Sequence, residues 1–339
     1  MEKKRYDAID GLRAIAAISI VMMHMRASNA YVIPGFIYNA VIPIFTNFSL
    51  LFMVISAFSM CCGYYEKILN NEFSVLHFYE VRFQKTLPCF AVLVLLEIVV
   101  SPSKEALYEG FADLTLLFGL LPDAGNISVI GVGWFIGLIF VFYLCFPFFC
   151  CLLESKKKAW ICFGISLIYN FVCANYFNAG GTNILYCGCF FMAGGLVYLY
   201  RDQIEQFNGG LVLAAAGVVI IIHYIISGNM LTWVPFVKTI LRLAFVTTLL
   251  MYAVSTNSQI LSNRFTRFFS SISLEVYLSH MAVFRVIEKY GLNAVFGNGW
   301  IQYIMTVILV TGGAIIFAVA VKKLLKLGRD ICEKMKIGD

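Results

Sequence analysis

Apolar positions run along this chain in stretches of about 20 residues, the length of helix that crosses a hydrocarbon core ~30 Å thick, with short polar breaks between them. Ten such windows can be placed, at 9–29, 45–64, 86–101, 134–153, 159–177, 184–200, 211–227, 235–254, 269–288 and 300–321. The third is short. Two intervening segments have a mixed pattern. Residues 66–85 combine Lys67, Glu72, His77, Glu80, Arg82 and Lys85 with Phe73, Leu76, Phe78 and Phe83, which predicts a helix lying flat at the inner membrane interface. Residues 104–121, with Leu107, Phe111, Leu114, Leu116 and Leu117, predict the same outside. The pattern therefore predicts an all-α polytopic membrane helix bundle of about ten transmembrane helices. It forms a single transmembrane domain over residues 1–339, with no separate soluble domain and no internal repeat of the kind many transporters carry.

Charge orients this bundle, because short cytoplasmic loops retain basic residues. With the N-terminus inside, all but six of the 25 basic residues fall in inner loops or tails. The six are Arg26, Lys104, Lys238, Arg242, Arg285 and Lys289. Both termini are thus expected to be cytoplasmic, and the net charge of +6 is accounted for by topology, with no nucleic-acid partner required. The first apolar stretch follows a basic tail, contains Arg13 and lacks a small-residue cleavage pattern, so it is expected to be a retained signal anchor. Of the eleven cysteines, ten fall in the windows and Cys332 in the tail. None forms the paired spacing of a zinc site, so they are assigned to packing and no metal is expected.

Candidate chemistry begins in the first window, where Arg13 and His24 sit among apolar residues that a bilayer prefers. Ionisable side chains at membrane depth cost several kcal/mol and mark function by default. Eleven positions on a helix are a rise of about 16 Å and three turns plus roughly 20°, so the two side chains share a face. His24 suits a general base and Arg13 an anchor for phosphates. The competing readings are a packing histidine and an arginine that snorkels to the inner headgroups. Arg242, about 10 Å into the eighth window, implies a partner or substrate whose nature the sequence leaves open. His280 lies at a depth similar to His24, with Tyr277 one turn below, and either lines a substrate path or holds structure. His77 and His223 read as ordinary. Two classes accommodate these residues: an enzyme, or a secondary transporter or flippase in which His24, Arg13 and Arg242 couple protons or anions. A membrane scaffold would leave them unexplained.

Four segments carry a family resemblance. Asp10-Gly11-Leu12-Arg13, followed by ten residues and His24, resembles the signature of the acyltransferase 3 family of bacterial integral-membrane O-acyltransferases. Leu51-Phe52-Met53-Val54-Ile55-Ser56-Ala57-Phe58 resembles its second-helix motif, with Ala57 where a glycine is usual. Arg82-Phe83-Gln84-Lys85-Thr86-Leu87-Pro88 resembles its basic motif ending in proline, and Ser273-Leu274-Glu275-Val276-Tyr277-Leu278-Ser279-His280 its late Tyr-Leu-x-His motif. The segments occur in order across residues 5–285. One departure stands out: Trp134 is followed by Phe135-Ile136-Gly137-Leu138-Ile139, so the glutamate that many relatives carry there has no counterpart.

The resemblance implies a plasma-membrane O-acyltransferase, with acetyl as the expected group. Its donor co-substrate would be acetyl-CoA or another acyl-CoA on the cytoplasmic side. Its acceptor would be a hydroxyl of a surface glycan or lipid-linked sugar reaching the site from the outer half. His24 and Arg13 are then catalytic, and Arg13, Arg82 and Lys85 bind the donor. Trp134, Tyr143, Arg242, Tyr277 and His280 are candidates on the substrate side. Membrane lipids are the only other partners implied, and the oligomeric state, a homodimer included, is left open.

Overall fold

Each of the ten windows is helical in the computed structural model, which describes residues 4–29, 31, 33–121, 129–228 and 235–337, with backbone only at 227, 228, 235, 329 and 331–337. Of the expected inner charges, Lys3 and the side chains of Arg329, Lys334 and Lys336 lie outside the described residues, as does the Cys332 side chain. The helices are α1 (Ala8–Ser28), α2 (Phe48–Leu69), α3 (Val75–Val100), α4 (Lys104–Thr115), α5 (Trp134–Leu152) and α6 (Lys156–Asn175). They continue with α7 (Ile184–Leu199), α8 (Gly209–Gly228), α9 (Pro235–Ser255), α10 (Arg264–Lys289) and α11 (Gly299–Ile337). Among the described residues there is no strand.

Among the described residues seven helical runs are long and apolar enough to cross a membrane: Ala8–Ser28, Ile37–Leu69, Val75–Val100, Trp134–Leu152, Gly209–Ile226, Phe236–Ser255 and Gly299–Gly328. The second includes a π-helical turn, Ile37–Val41, stacked before α2. The other three windows also fold as helices, but α7 has only 16 residues. The remaining two, α6 and α10, carry Lys156, Lys157 and Lys158 in the first case and Arg264, Arg267, Glu275, Arg285, Glu288 and Lys289 in the second.

Helix starts follow local side-chain chemistry. Ser74, Ser103 and Ser155 each accept a backbone N–H of the first turn, from His77, Ala106 and Lys158, which satisfies one of the donors a helix end leaves free. Asn263 and Thr266 form a reciprocal capping box at the start of α10. The segment 66–85 departs from expectation, since it forms no separate interfacial helix. Glu66–Leu69 closes α2, Asn71 turns the chain in the left-handed region at φ 58°, and residues 75–85 open α3, which continues through Pro88 to Val100. Asn tolerates that backbone conformation better than most residues. In the segment 104–121, Lys104–Thr115 forms an amphipathic helix, α4, exposing Leu107, Tyr108 and Phe111 and packing on α3.

The first helix is central: α1 packs against α10, α2, α11 and α9. Close approach needs small residues. A Cβ at Gly194 of α7 would fall 2.3 Å from the Val54 carbonyl oxygen and 2.7 Å from the Ala57 Cβ on α2. Ala57 thus occupies the usual glycine position of its motif while its neighbour on α7 supplies the missing space. Six of the ten described cysteines are buried free thiols, whereas Cys145 and Cys151 are exposed.

Candidate functional site

Arg13 extends from α1 toward α2, where its Nη2 donates to Ser59 Oγ at 2.8 Å. A guanidinium held by a neutral hydroxyl keeps other donors for an anion. It lines two cavities. The larger, about 600 Å³, is bounded by Lys4, Arg5, Tyr6, Asp10, Ser59 and Lys85 at the end of the bundle that carries the N-terminus. The smaller, about 170 Å³, lies among five helices and is bounded by Ser56 of α2, Thr86 of α3, Tyr143 of α5, and Ser270, Ser273 and Tyr277 of α10.

Carboxylates fix the wall of the larger cavity. Asp10 accepts from Arg5 Nη2 at 2.8 Å and from Ser270 Oγ at 2.8 Å, which ties α1 to α10 one turn below Arg13. Lys4 and Tyr6 both donate to Glu205. Burial, reinforced by that carboxylate, pushes the Tyr6 hydroxyl above its usual range, so it stays a donor at neutral pH. Lys4 and Arg5 are therefore engaged with acids, while Arg13 is presented to the space between the two cavities.

Arg82 and Lys85, adjacent turns of α3, diverge. Lys85 is exposed and lines the larger cavity. Arg82 instead donates from Nη2 to Tyr64 Oη at 3.0 Å, and its guanidinium lies 5.4 Å from the Tyr64 ring centre, 5.5 Å from Phe78 and 5.7 Å from Tyr143. Such cation–π contacts hold both partners. Through Tyr143, whose Oη is 3.5 Å from Ser56 Oγ, Arg82 supports the wall of the smaller cavity without lining it.

At the other end of that cavity stands Tyr277. Its hydroxyl donates to the Val132 carbonyl at 2.9 Å, and its ring meets Phe135 edge-on at 5.6 Å. The next turn of α10 brings His280, fully buried, with its ring 6.1 Å from Tyr277 and 5.0 Å from His24. His24 is half-buried and outside the lining of both cavities. Between it and the smaller cavity stand the rings of His280 and Tyr277.

Two expected residues lie further off. Trp134 begins α5, edge-on to Phe135 at 5.9 Å, and does not line the cavity. Arg242 lines a separate narrow pocket of about 10 Å³ with Asn47, His223 and Phe245, and its Nε is buried without a partner. The structure thus sets Arg13 between two cavities, with Lys85 on the larger and Tyr143 and Tyr277 on the smaller, pairs His24 with His280 beyond Tyr277, and sets Arg242 apart. Sequence reading gave no site role to Asp10, Ser56 and Thr86, although each stands in a motif quoted above, and it passed over Ser59 and Ser270 altogether. Ser59, three residues from Ser56 on one face of an apolar helix, had that spacing as its signal.

A comparison with protein families finds that a family model described as an acyltransferase domain matches residues 6–321. No curated protein and no solved structure matches the chain.

Proposed function

The chain belongs to the acyltransferase 3 family, and on that premise we propose that it moves an acyl group, acetyl in the first instance, from acyl-CoA to a hydroxyl of a glycan or lipid-linked sugar. The supporting observation is Arg13: it borders two cavities and is held by one neutral serine hydroxyl, three turns below a pair of histidines on the same side of the bundle. In this reading the end bearing Lys4, Arg5 and Lys85 faces the cytoplasm, and the phosphates of the donor bind against Arg13 and Lys85. The pantetheine arm then points along α1, whose rise from Arg13 to His24 is about 16 Å.

Acyl transfer needs a base at the acceptor and donors for the oxyanion. His24 is the base. It takes the hydroxyl proton as the oxygen attacks the thioester carbonyl. The C–O bond forms, the C–S bond breaks, and the proton passes on to the departing thiolate. The acceptor approaches from the outer end of α1. The segment around Tyr277 has to give way for the arm to reach His24, since Tyr277, held on the Val132 carbonyl, borders the smaller cavity.

The test is release of free coenzyme A from labelled acetyl-CoA by the purified protein, with and without candidate glycans. His24→Ala should lower turnover by roughly 100-fold or more, the usual contribution of a general base, while donor binding persists. Near-normal turnover in a folded His24→Ala protein would remove His24 from the mechanism.

A further inference from the structure

The His24–His280 contact carries more than proximity. The Nδ1 of His280 lies 2.6 Å from the Tyr277 carbonyl oxygen. A carbonyl only accepts, so Nδ1 bears the hydrogen and Nε2 is a bare acceptor. That Nε2 is buried and has no partner, on a side chain with 0 % exposure. Buried acceptors are rarely left unsatisfied, and one that is calls for an explanation. The neighbouring ring is His24, at a centroid distance of 5.0 Å and a tilt of 50°. At that separation, a ring N–H of His24 turned toward the orphaned nitrogen would come within hydrogen-bond reach of it.

Other polar groups nearby are engaged elsewhere. The Tyr277 hydroxyl is on Val132, the Tyr303 hydroxyl on the Met22 carbonyl, Arg26 on the Tyr38 carbonyl, and Arg285 on Glu97. Among the described residues the His24 ring makes no hydrogen bond, so His280 Nε2 and the His24 side chain are complementary groups left over by the surrounding network.

We propose that His280 is a positioning residue for His24. Its Nε2 accepts a hydrogen bond from one ring nitrogen of His24, so that the other nitrogen is left bare toward the acceptor hydroxyl. The inference rests on the acyl-transfer reading above for its consequence, but not for the pairing itself. The tautomer of a histidine is set by the hydrogen bond its second nitrogen makes. Here the order runs from Tyr277 carbonyl to His280 to His24. When His24 takes the hydroxyl proton, His280 stabilises the imidazolium through the same bond. His280 does not touch either substrate.

Two substitutions separate positioning from packing. His280→Asn keeps an amide N–H near Nδ1 for the Tyr277 carbonyl but has nothing at the Nε2 position. His280→Gln carries an amide oxygen out to that position. We expect His280→Asn to lower kcat roughly 30-fold or more, with KM for acyl-CoA changed less than about twofold, the signature of an interaction made in the transition state. His280→Gln should recover a substantial part of kcat. An independent readout needs no turnover: ¹⁵N-histidine spectra of the detergent-solubilised protein, with His24 assigned by difference against His24→Gln. The wild-type chain should show one fixed His24 tautomer, and His280→Asn a mixture. Unchanged kcat in His280→Asn, failure of Gln to exceed Asn in folded protein, or a mixed His24 tautomer in the wild type would each overturn the proposal. A fixed tautomer in a protein that releases no coenzyme A supports the pairing and overturns the acyl-transfer reading alone.

Discussion

A methyl group added at Gly11 would fall 2.4 Å from the Leu261 carbonyl oxygen, 2.5 Å from its Cα and 2.7 Å from its Cβ. Two of these atoms are backbone, so no rotamer change relieves the overlap. The loop before α10 must retreat from α1 by about an ångström. That loop is pinned by the Asn263–Thr266 capping box and by Thr266 Oγ1 donating to the Leu261 carbonyl at 3.0 Å. Overpacking of this kind costs about 1–3 kcal/mol, partly offset by the roughly 1 kcal/mol that alanine gains over glycine inside a helix. The expected net for Gly11→Ala is a destabilisation of up to about 2 kcal/mol, and of about 1–3 kcal/mol relative to an alanine placed where nothing is overpacked. Because Ser270 of α10 bonds Asp10 of α1, the displacement also moves α10, and with it Tyr277 and His280, against His24. Gly217→Ala is the internal control, since nothing lies within 4 Å of a Cβ there and only the helix gain remains. Thermal unfolding of both variants in one detergent, read beside acyl-CoA turnover, makes the comparison. A Gly11→Ala protein as stable as Gly217→Ala, or fully active, would refute the claim that the motif glycine exists to let α1 touch this loop.

Arg13→Ala should raise KM for acyl-CoA about tenfold or more but leave a truncated thioester lacking the nucleotide nearly unaffected, and Arg13→Lys should rescue it only in part, because a point charge cannot reproduce a guanidinium fork; equal losses on both donors would show that Arg13 does not read the phosphates. Ser59→Ala, which removes the Arg13 acceptor at 2.8 Å, should reproduce a fraction of that loss, a few-fold by steady-state kinetics. Asp113 gives a pH dependence: burial pushes its carboxyl up to about 7, with Glu109 reinforcing and the Val129 N–H opposing. The folded state therefore holds a proton that the unfolded chain, titrating near ~3.9, releases. The stabilisation is complete below that value and is lost as pH rises through about 7. The melting temperature should fall by a few degrees between pH 5 and 8, and Asp113→Asn should flatten the dependence. A wild-type profile flat over that range would refute the assignment.

Which parts of this could be read beforehand follows from what sets each feature. Helix positions were legible because the apolar period is local, and α1, α5 and α7 start and stop within a residue or two of their windows. Two boundaries were not. The third window stops short because Arg82 and Lys85 lower the local hydropathy, yet the same residues are good helix formers and α3 begins at Val75. The last window ends at 321, whereas α11 continues to Ile337, since Lys322, Lys323 and Lys326 end an apolar run without ending a helix. Charge marks where a span leaves the membrane, and only caps or turns mark where a helix ends.

The site was legible along α1 and much less so across helices. Arg13 and His24 share a face by helical arithmetic alone, and the sequence separation of 11 carries that information. The pairing of His24 with His280 spans 256 positions and depends on how α1 crosses α10, which the Gly11–Leu261 and Asp10–Ser270 contacts determine. Arg82 shows how little a motif says about a side chain's surroundings. Its motif suggested a phosphate ligand, and in the structure three aromatic rings and Tyr64 Oη lie around it, with the wall residue Tyr143 linking it to the smaller cavity. If that support matters, Arg82→Lys should behave as a cavity-wall variant. It would lose thermal stability and turnover together while keeping the ratio of KM values for intact and truncated donors. A change in that ratio would instead return Arg82 to the donor.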